Sequence, residues 1–126
     1  MELIKKFLKK EHYFFLVSFL ILSFASSLRH FWFHSSSWDL GIFDQAIYLI
    51  SQGQKPFSTL LGFHILGDHG ALVLYPLGFL YKYFSSTYFL FLIQSFALSI
   101  SIFPLYELSK NLNLSRLATN ASYIAL

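Results

Sequence analysis

An uncharged stretch at residues 88–106 limits what this chain can fold into more than any other feature. It reads YFLFLIQSFALSISIFPLY and lies between Ser85-Ser86-Thr87 and Glu107. A helix needs roughly 17–25 mainly apolar residues to cross the hydrocarbon core of a bilayer. The stretch has that length and composition, so it predicts a transmembrane helix.

The overall composition supports a membrane protein in contact with the lipid bilayer. The 126 residues are 56% hydrophobic and 12% charged, against roughly 45–50% and about 25% in soluble domains. A soluble domain this short would leave much of its apolar surface in water, and a disordered chain needs low hydrophobicity. The absence of cysteine excludes disulfide scaffolds and thiolate zinc sites. The basic residues form no patch for nucleic acid, so we expect no nucleic-acid partner.

A second apolar run follows a basic arm at residues 1–12 and predicts a transmembrane helix at 13–33. The alternative is a signal peptide cleaved near Ala25 and Ser27. A third run at 117–126 is long enough for only about 15 Å of helix, half of the roughly 30 Å core. We therefore expect an N-terminal fragment whose partial third span begins here, with the remaining transmembrane helices of a longer homologue missing.

The distribution of Lys and Arg predicts the topology. The arm at 1–12 holds four lysines and the short loop at 107–116 holds two basic residues, whereas the longer segment 34–87 is poor in them. Because basic loops stay in the cytoplasm, we expect a cytoplasmic N-terminus and an outer-facing or periplasmic 34–87 in a bacterial plasma (inner) membrane.

Two details of the 88–106 span can also be predicted. Gln94, Ala97 and Ser101 share one helix face, and small or polar residues on one face suit helix–helix contact in lipid. Pro104 is expected in the last turn of the span, where a kink costs little.

The outer segment contains two predicted helices. Residues 40–52 show an amphipathic pattern suited to the membrane surface, with Asp39 as N-cap and Gly53 as the residue that ends the helix. Residues 71–84 are too short for a comfortable span and are expected to be interfacial or re-entrant. If 71–84 crosses the bilayer instead, the topology beyond it inverts.

Ionisable residues in this segment are the candidates for function. Asp39 and Asp44 offer carboxylates for a general base or a divalent cation, although a helix cap and a solvated side chain are the simpler interpretations. Tyr48 lies one turn from Asp44 on the polar face. His64, Asp68 and His69 offer oxygen and nitrogen ligands, but the nearby glycines argue against one regular helix holding all three.

The order of these parts resembles the start of the GT-C class of polytopic glycosyltransferases. More closely, several strings of residues resemble a bacterial family of predicted polytopic membrane proteins with a domain of unknown function, itself thought to be GT-C-like. These strings are Trp38-Asp39-Leu40-Gly41-Ile42-Phe43-Asp44-Gln45-Ala46, Asp68-His69, Tyr75-Pro76-Leu77, Gln94 and Pro104-Leu105-Tyr106. The resemblance covers residues 10–126.

The resemblance implies a catalytic acidic residue at the start of the first outer loop, the position of Asp39. That residue would act on an acceptor while a sugar leaves a polyprenyl-phosphate donor, and some members of the class also use a divalent metal such as Mg or Mn. The sequence departs from the class at Leu40, where the best-known members have Glu, and at Pro76, where they have paired prolines.

Sequence and resemblance together predict an all-α polytopic membrane protein, a GT-C-like fragment with two full spans and interfacial helices in its outer loop. Asp39 and Asp44 are the expected catalytic residues, and His69, Tyr48 and His64 are expected on the substrate or phosphate side. Asp39, Asp44 and His69 are the expected metal ligands. The alternatives are a non-catalytic scaffold or transporter part, and an inactive truncated gene product.

Overall fold

A computed structural model describes residues 10–35, 37–68, 70–115 and 118–121 of the chain. The regular elements with described bounds include five α-helices, one antiparallel pair of short strands and the 3-10 turn Ile65–Gly67. In chain order the α-helices and strands are α1 Lys10–Phe31, α2 Ser37–Ser51, β1 Phe57–Ser58, β2 Phe63–His64, α3 Leu74–Tyr81, α4 Thr87–Ile100 and α5 Ile102–Asn111. These elements form two compact units, residues 1–27 with 91–126 and residues 28–90.

Helix α1 has the length and surface of a membrane-spanning helix. It contains no glycine or proline, and its 22 residues correspond to about 33 Å, enough for the hydrocarbon core. Leu16, Leu20, Ile21 and Phe24 are each more than half exposed. Such a row of bare apolar side chains is unfavourable in water and favourable in lipid.

The second candidate span, Thr87–Asn111, consists of α4 and α5 with a break at Ser101. Pro104 explains the break, because a proline has no N–H to donate and its ring clashes with the carbonyl four residues earlier, here that of Ile100. Pro104 therefore lies in the first turn of α5 and not in a final turn. Helix α5 continues past Tyr106 to Asn111. It therefore extends into the segment 107–116, which was predicted to be a loop.

Aromatic rings pack α1 against α4 and α5 in the first unit. The Phe15 ring lies 5.8 Å from that of Phe96 and 5.6 Å from that of Phe103, and the rings of Phe19 and Phe96 are 6.3 Å apart. The two contacts with Phe96 are edge-to-face, and contacts of this kind add to the energy of burial. The Ser99 hydroxyl donates a hydrogen bond to the Ser18 hydroxyl at 3.3 Å.

The buried face of α4 differs from the predicted one. Phe91, Ser95 and Ser99 are buried, whereas Gln94 and Ala97 are exposed. The prediction that the face of Gln94 packs against a helix is therefore wrong within this unit. The bond from Ser99 to Ser18 lies on this buried face. Of the predicted third span at 117–126, residues 118–121 are helical and the others lie outside the described part of the chain.

Helices α2 and α3 form the core of the second unit. The buried core residues come from both helices and from the segment between them, and they are Ile42, Ala46, Ile47, Ile65, Leu74 and Tyr81. The apolar face of α2 is thus covered by α3 and by the loop, and its polar face carries Asp44 and Tyr48.

Two glycines allow this pairing of helices. Gly53 ends α2 at a φ of 69°, and the bonds from Gly53 N to Ile50 O and from Gln54 N to Leu49 O, both 2.9 Å, complete the C-terminal motif that glycine favours. The predicted role of Gly53 is confirmed. Gly78 lies where α3 meets α2, and a Cβ added there would come 2.7 Å from Ile50 Cβ. Only glycine permits this approach.

Candidate functional site

A carboxylate–phenol pair joins α2 to α3 in the second unit. The Tyr81 hydroxyl donates a hydrogen bond of 2.7 Å to Asp44 Oδ1. Tyr81 is 4% exposed, and Asp44 is half-buried beside it. Because Tyr81 ends α3 in the core, its ring is fixed by packing and holds the carboxylate of Asp44 in one orientation.

The surroundings of Tyr81 keep its phenol protonated. Burial raises the pKa of Tyr81 well above its usual value, and the hydrogen bond to Asp44 and the negative charge of Asp44 raise it further. The side chain of Thr87 acts in the opposite direction on this pKa. The phenol therefore remains a hydrogen-bond donor to the carboxylate at any physiological pH.

Asp44 opens onto a cleft of about 460 Å³ formed by the end of α1, the turn after it, α2 and the start of α4. Its described lining residues are His30, Phe33, Ser35, Leu40, Gly41, Asp44 and Thr87. Apolar walls with a few placed polar groups are typical of ligand sites. The volume suits a group of the size of a monosaccharide or a small headgroup.

His30 is the second ionisable group on this cleft. Its Nδ1 lies 2.7 Å from Ser35 Oγ, and its ring contacts the ring of Tyr88 edge-on, with the centroids 5.3 Å apart. These two contacts fix the plane of the imidazole, so the cleft has a carboxylate and an imidazole that are both held in place.

Phe33, also on the cleft, has an unusual backbone. It has a φ of 58° and is 93% exposed, in the turn closed by the bond from His34 N to Arg29 O at 3.0 Å. A left-handed conformation costs a residue with a side chain roughly 1–2 kcal/mol. Strain of this kind is concentrated at functional sites.

Asp39 lies at the start of α2, five residues before Asp44. Helix α2 begins at Ser37, so Asp39 is in the first turn and is not the N-cap. It is exposed, and it is not among the described residues that line the cleft. Its negative charge is favourable at this end of the helix dipole.

The residues predicted on the substrate side have different surroundings. Tyr48 is 49% exposed on α2, and neither Tyr48 nor His64 is among the described residues of the cleft. His64 Nδ1 accepts a hydrogen bond of 3.2 Å from Leu66 N, which caps the 3-10 turn Ile65–Gly67. Asp68 is exposed just after this turn. His69 lies outside the described residues.

The described residues do not by themselves form the predicted metal site. Within 10–35, 37–68, 70–115 and 118–121, no group of three or more His, Asp or Glu side chains is placed to hold a metal ion. Magnesium prefers six oxygen ligands, several of them water, around one or two carboxylates. The set Asp39, Asp44 and His69 stays a prediction.

Comparison with known protein families shows the family of the chain. Residues 29–126 match the model of the family described as "Predicted membrane protein (DUF2079)". The chain belongs to this family. The predicted membrane nature of the chain is thereby confirmed, in agreement with its helical fold and its two candidate spans. No curated protein and no solved structure matches the chain significantly.

The family match covers every described residue that lines the cleft, because these residues lie between His30 and Thr87. The match includes α2, α3 and the residues His30, Asp44 and Tyr81. The exposed apolar surface of α1 and α4 can therefore be interpreted as lipid contact, as expected for a protein localised in a membrane.

Sequence reasoning missed two residues that line the cleft, His30 and Thr87, and also Tyr81, which orients Asp44. His30 was counted as the edge of a span, Tyr81 as part of an apolar run, and Thr87 as a boundary residue. The signal for His30 was an ionisable side chain at the end of a transmembrane helix, where such residues often mark a polar site. Tyr81 gave no local signal, because its partner Asp44 is 37 residues away.

Proposed function

We propose that the chain contributes the transfer site of a GT-C-like glycosyltransferase at the outer face of the membrane. The enzyme would move a sugar from a polyprenyl-phosphate donor to a hydroxyl acceptor. The observation that carries this proposal is the Asp44 carboxylate, oriented by Tyr81 and open to a cleft that also contains His30.

The cleft contains the groups that such a transfer needs. The acceptor oxygen attacks the anomeric carbon, the bond from this carbon to the phosphate oxygen breaks, and the electron pair stays with the polyprenyl phosphate. Asp44 takes the proton of the acceptor hydroxyl as general base. The donor phosphate would lie beside the imidazole of His30, which lines the same cleft.

The catalytic roles proposed for Asp39 and Asp44 rest on different observations. Asp39 is proposed from the family resemblance, as base or second carboxylate, whereas Asp44 is proposed from its fixed geometry on the cleft. The polar face of α2 and the nearby aromatic residues Trp32 and Phe33, both more than half exposed, suit a site at headgroup depth. A lipid-linked donor presents its phosphate at that depth.

The test measures the release of polyprenyl phosphate by mass spectrometry in native membranes, where any further components of the system are present. The probe is a panel of short-chain polyprenyl-phosphate hexoses and pentoses. We expect Asp44→Asn to lower the release rate by about 100-fold or more, because a positioned general base contributes about 10²–10⁴-fold. Asp39→Asn is measured in parallel to separate the two carboxylates.

The control is Glu107→Gln, which removes an exposed carboxylate of the first unit and should leave the rate unchanged. An unchanged rate in Asp44→Asn would remove Asp44 from the mechanism. Equal release by membranes with and without the gene would overturn the transferase proposal itself.

A further inference from the structure

A second polar pocket lies in the first unit, remote in sequence from the cleft. This lysine pocket has a volume of about 420 Å³, and the residues that carry the argument are Lys10, Glu11, Tyr106, Lys110 and Asn120. Lys10 is the first residue of α1, and Lys110 is in the last turn of α5. The pocket therefore joins the same end of both candidate spans.

Lys10 is held in place by two contacts. Its Nζ donates a hydrogen bond of 2.7 Å to Asn120 Oδ1 and lies 5.8 Å from the centroid of the Phe14 ring. On the surface of a soluble protein, ordering a lysine in this way costs side-chain entropy and adds little stability. At the end of a transmembrane helix the ammonium group lies at headgroup depth, where an anion is close by.

Glu11 sets the charge of the lysine pocket. It is 7% exposed, and a buried carboxylate near a span needs nearby positive charge or hydrogen bonds. Lys10 and Lys110 together contribute +2 and Glu11 contributes −1, so the three side chains sum to +1. This sum matches one singly charged phosphodiester and exceeds what a zwitterionic headgroup needs.

We propose that the lysine pocket binds the phosphodiester headgroup of an anionic phospholipid such as phosphatidylglycerol. The two ammonium groups hold the phosphate, and the amide nitrogen of Asn120 and the phenol of Tyr106 donate hydrogen bonds to the headgroup oxygens. A lipid is favoured over a soluble phosphate because the pocket lies at the ends of two apolar helices, along which acyl chains can pack.

The test uses the purified 126-residue chain in detergent and native mass spectrometry. Dioleoylphosphatidylglycerol and dioleoylphosphatidylcholine are titrated separately, and the bound fraction of each is measured. We expect the chain to retain phosphatidylglycerol preferentially. Lys10→Gln and Lys110→Gln should each weaken this binding about fivefold, the loss expected for one basic residue near an anionic headgroup.

Glu11→Gln should change the affinity for phosphatidylglycerol in the direction opposite to that of the two lysine variants. It raises the charge of the lysine pocket to +2 without changing its shape, so phosphatidylglycerol should bind more tightly, by up to about fivefold. A purely structural role of the pocket would not produce opposite effects from the Lys and Glu variants. Lys82→Gln, an exposed lysine of the second unit, is the matched control and should change nothing. Circular dichroism checks that each variant keeps its helix content.

Three results in the lipid titrations would overturn the proposal, and a fourth result, with inorganic phosphate, would reject a lipid as the occupant. The three are equal retention of the two lipids, unchanged binding in both lysine variants, and weaker binding in Glu11→Gln. Binding of inorganic phosphate with no retention of either lipid would identify a soluble anion as the occupant and would also reject the lipid.

Discussion

The hydrogen bond from Tyr81 to Asp44 is the contact on which the candidate site depends. It links the polar face of α2 to the end of α3, and one partner is charged. Hydrogen bonds to charged groups contribute about 1.5–3 kcal/mol to stability. The bond therefore has two roles, since it orients the carboxylate and also stabilises the pairing of α2 and α3.

We expect Tyr81→Phe to lower the free energy of unfolding by about 1.5–3 kcal/mol, because it leaves the half-buried carboxylate without its donor. Unfolding by denaturant in detergent measures this loss. Asp44→Ala combined with Tyr81→Phe completes a double-mutant cycle. Additive losses in the cycle would show that the two side chains do not interact.

The pKa of Tyr81 gives a prediction on pH. A raised pKa means that the folded chain holds the phenol proton more tightly than the unfolded chain, in which tyrosine titrates near 10. The stabilisation is thus complete below about pH 10 and is lost as the pH rises towards the folded pKa.

Absorbance of tyrosinate measures this directly. Between about pH 9 and 11, near the ordinary tyrosine pKa, the folded Tyr81→Phe variant should show the same titration amplitude as the parent chain. A smaller amplitude in the variant would mean that Tyr81 ionises normally and that its burial is not as described.

Of this site, the sequence predicted Asp44 but neither Tyr81 nor His30. The period of α2 placed Asp44 on a polar face, because helix periodicity is a local property. Tyr81 belongs to an apolar run, and only the packing of α3 on α2 brings its hydroxyl to Asp44. Side-chain pairs distant in sequence have no periodic signature, which is why Tyr81 and His30 were missed.

At the scale of elements, the contact of α2 with α3 depends on Gly78. We expect Gly78→Ala to destabilise the chain by about 1–3 kcal/mol, since the added Cβ would overlap Ile50 and force the helices apart. The higher helix propensity of alanine offsets only part of this loss. Thermal unfolding in detergent measures the change.

Gly70→Ala is the matched control, because a Cβ there would meet nothing within 4 Å. It should be neutral or slightly stabilising. Equal stability of Gly78→Ala and Gly70→Ala would contradict the close approach of α2 and α3.

Two errors at this scale have physical reasons. The end of the second span was placed near Pro104 and Tyr106, but a proline is tolerated in the first turn of a new helix, so α5 continues to Asn111. The packing face of α4 was assigned from small and polar residues. The structure instead buries Phe91, Ser95 and Ser99, and which face is buried depends on how α1 and α4 meet.

At the scale of the whole molecule, the chain is a membrane protein with two candidate spans. We propose that the segment 34–87, which contains Asp44, faces outward, whereas the ends at Lys10 and Asn111 face the cytoplasm. In that arrangement the sugar-transfer cleft would meet lipid-linked donors of the outer leaflet. The competing topology has residues 71–84 crossing the bilayer.

Labelling of single cysteines in intact cells tests this arrangement most directly, because the chain contains no cysteine of its own. Gln54→Cys and Asn111→Cys change exposed residues in the two segments. We predict that a membrane-impermeant maleimide labels Gln54→Cys in intact cells and labels Asn111→Cys only after the cells are opened. Labelling of both variants in intact cells, or protection of Gln54→Cys, would contradict the proposed topology and the outward-facing transfer site.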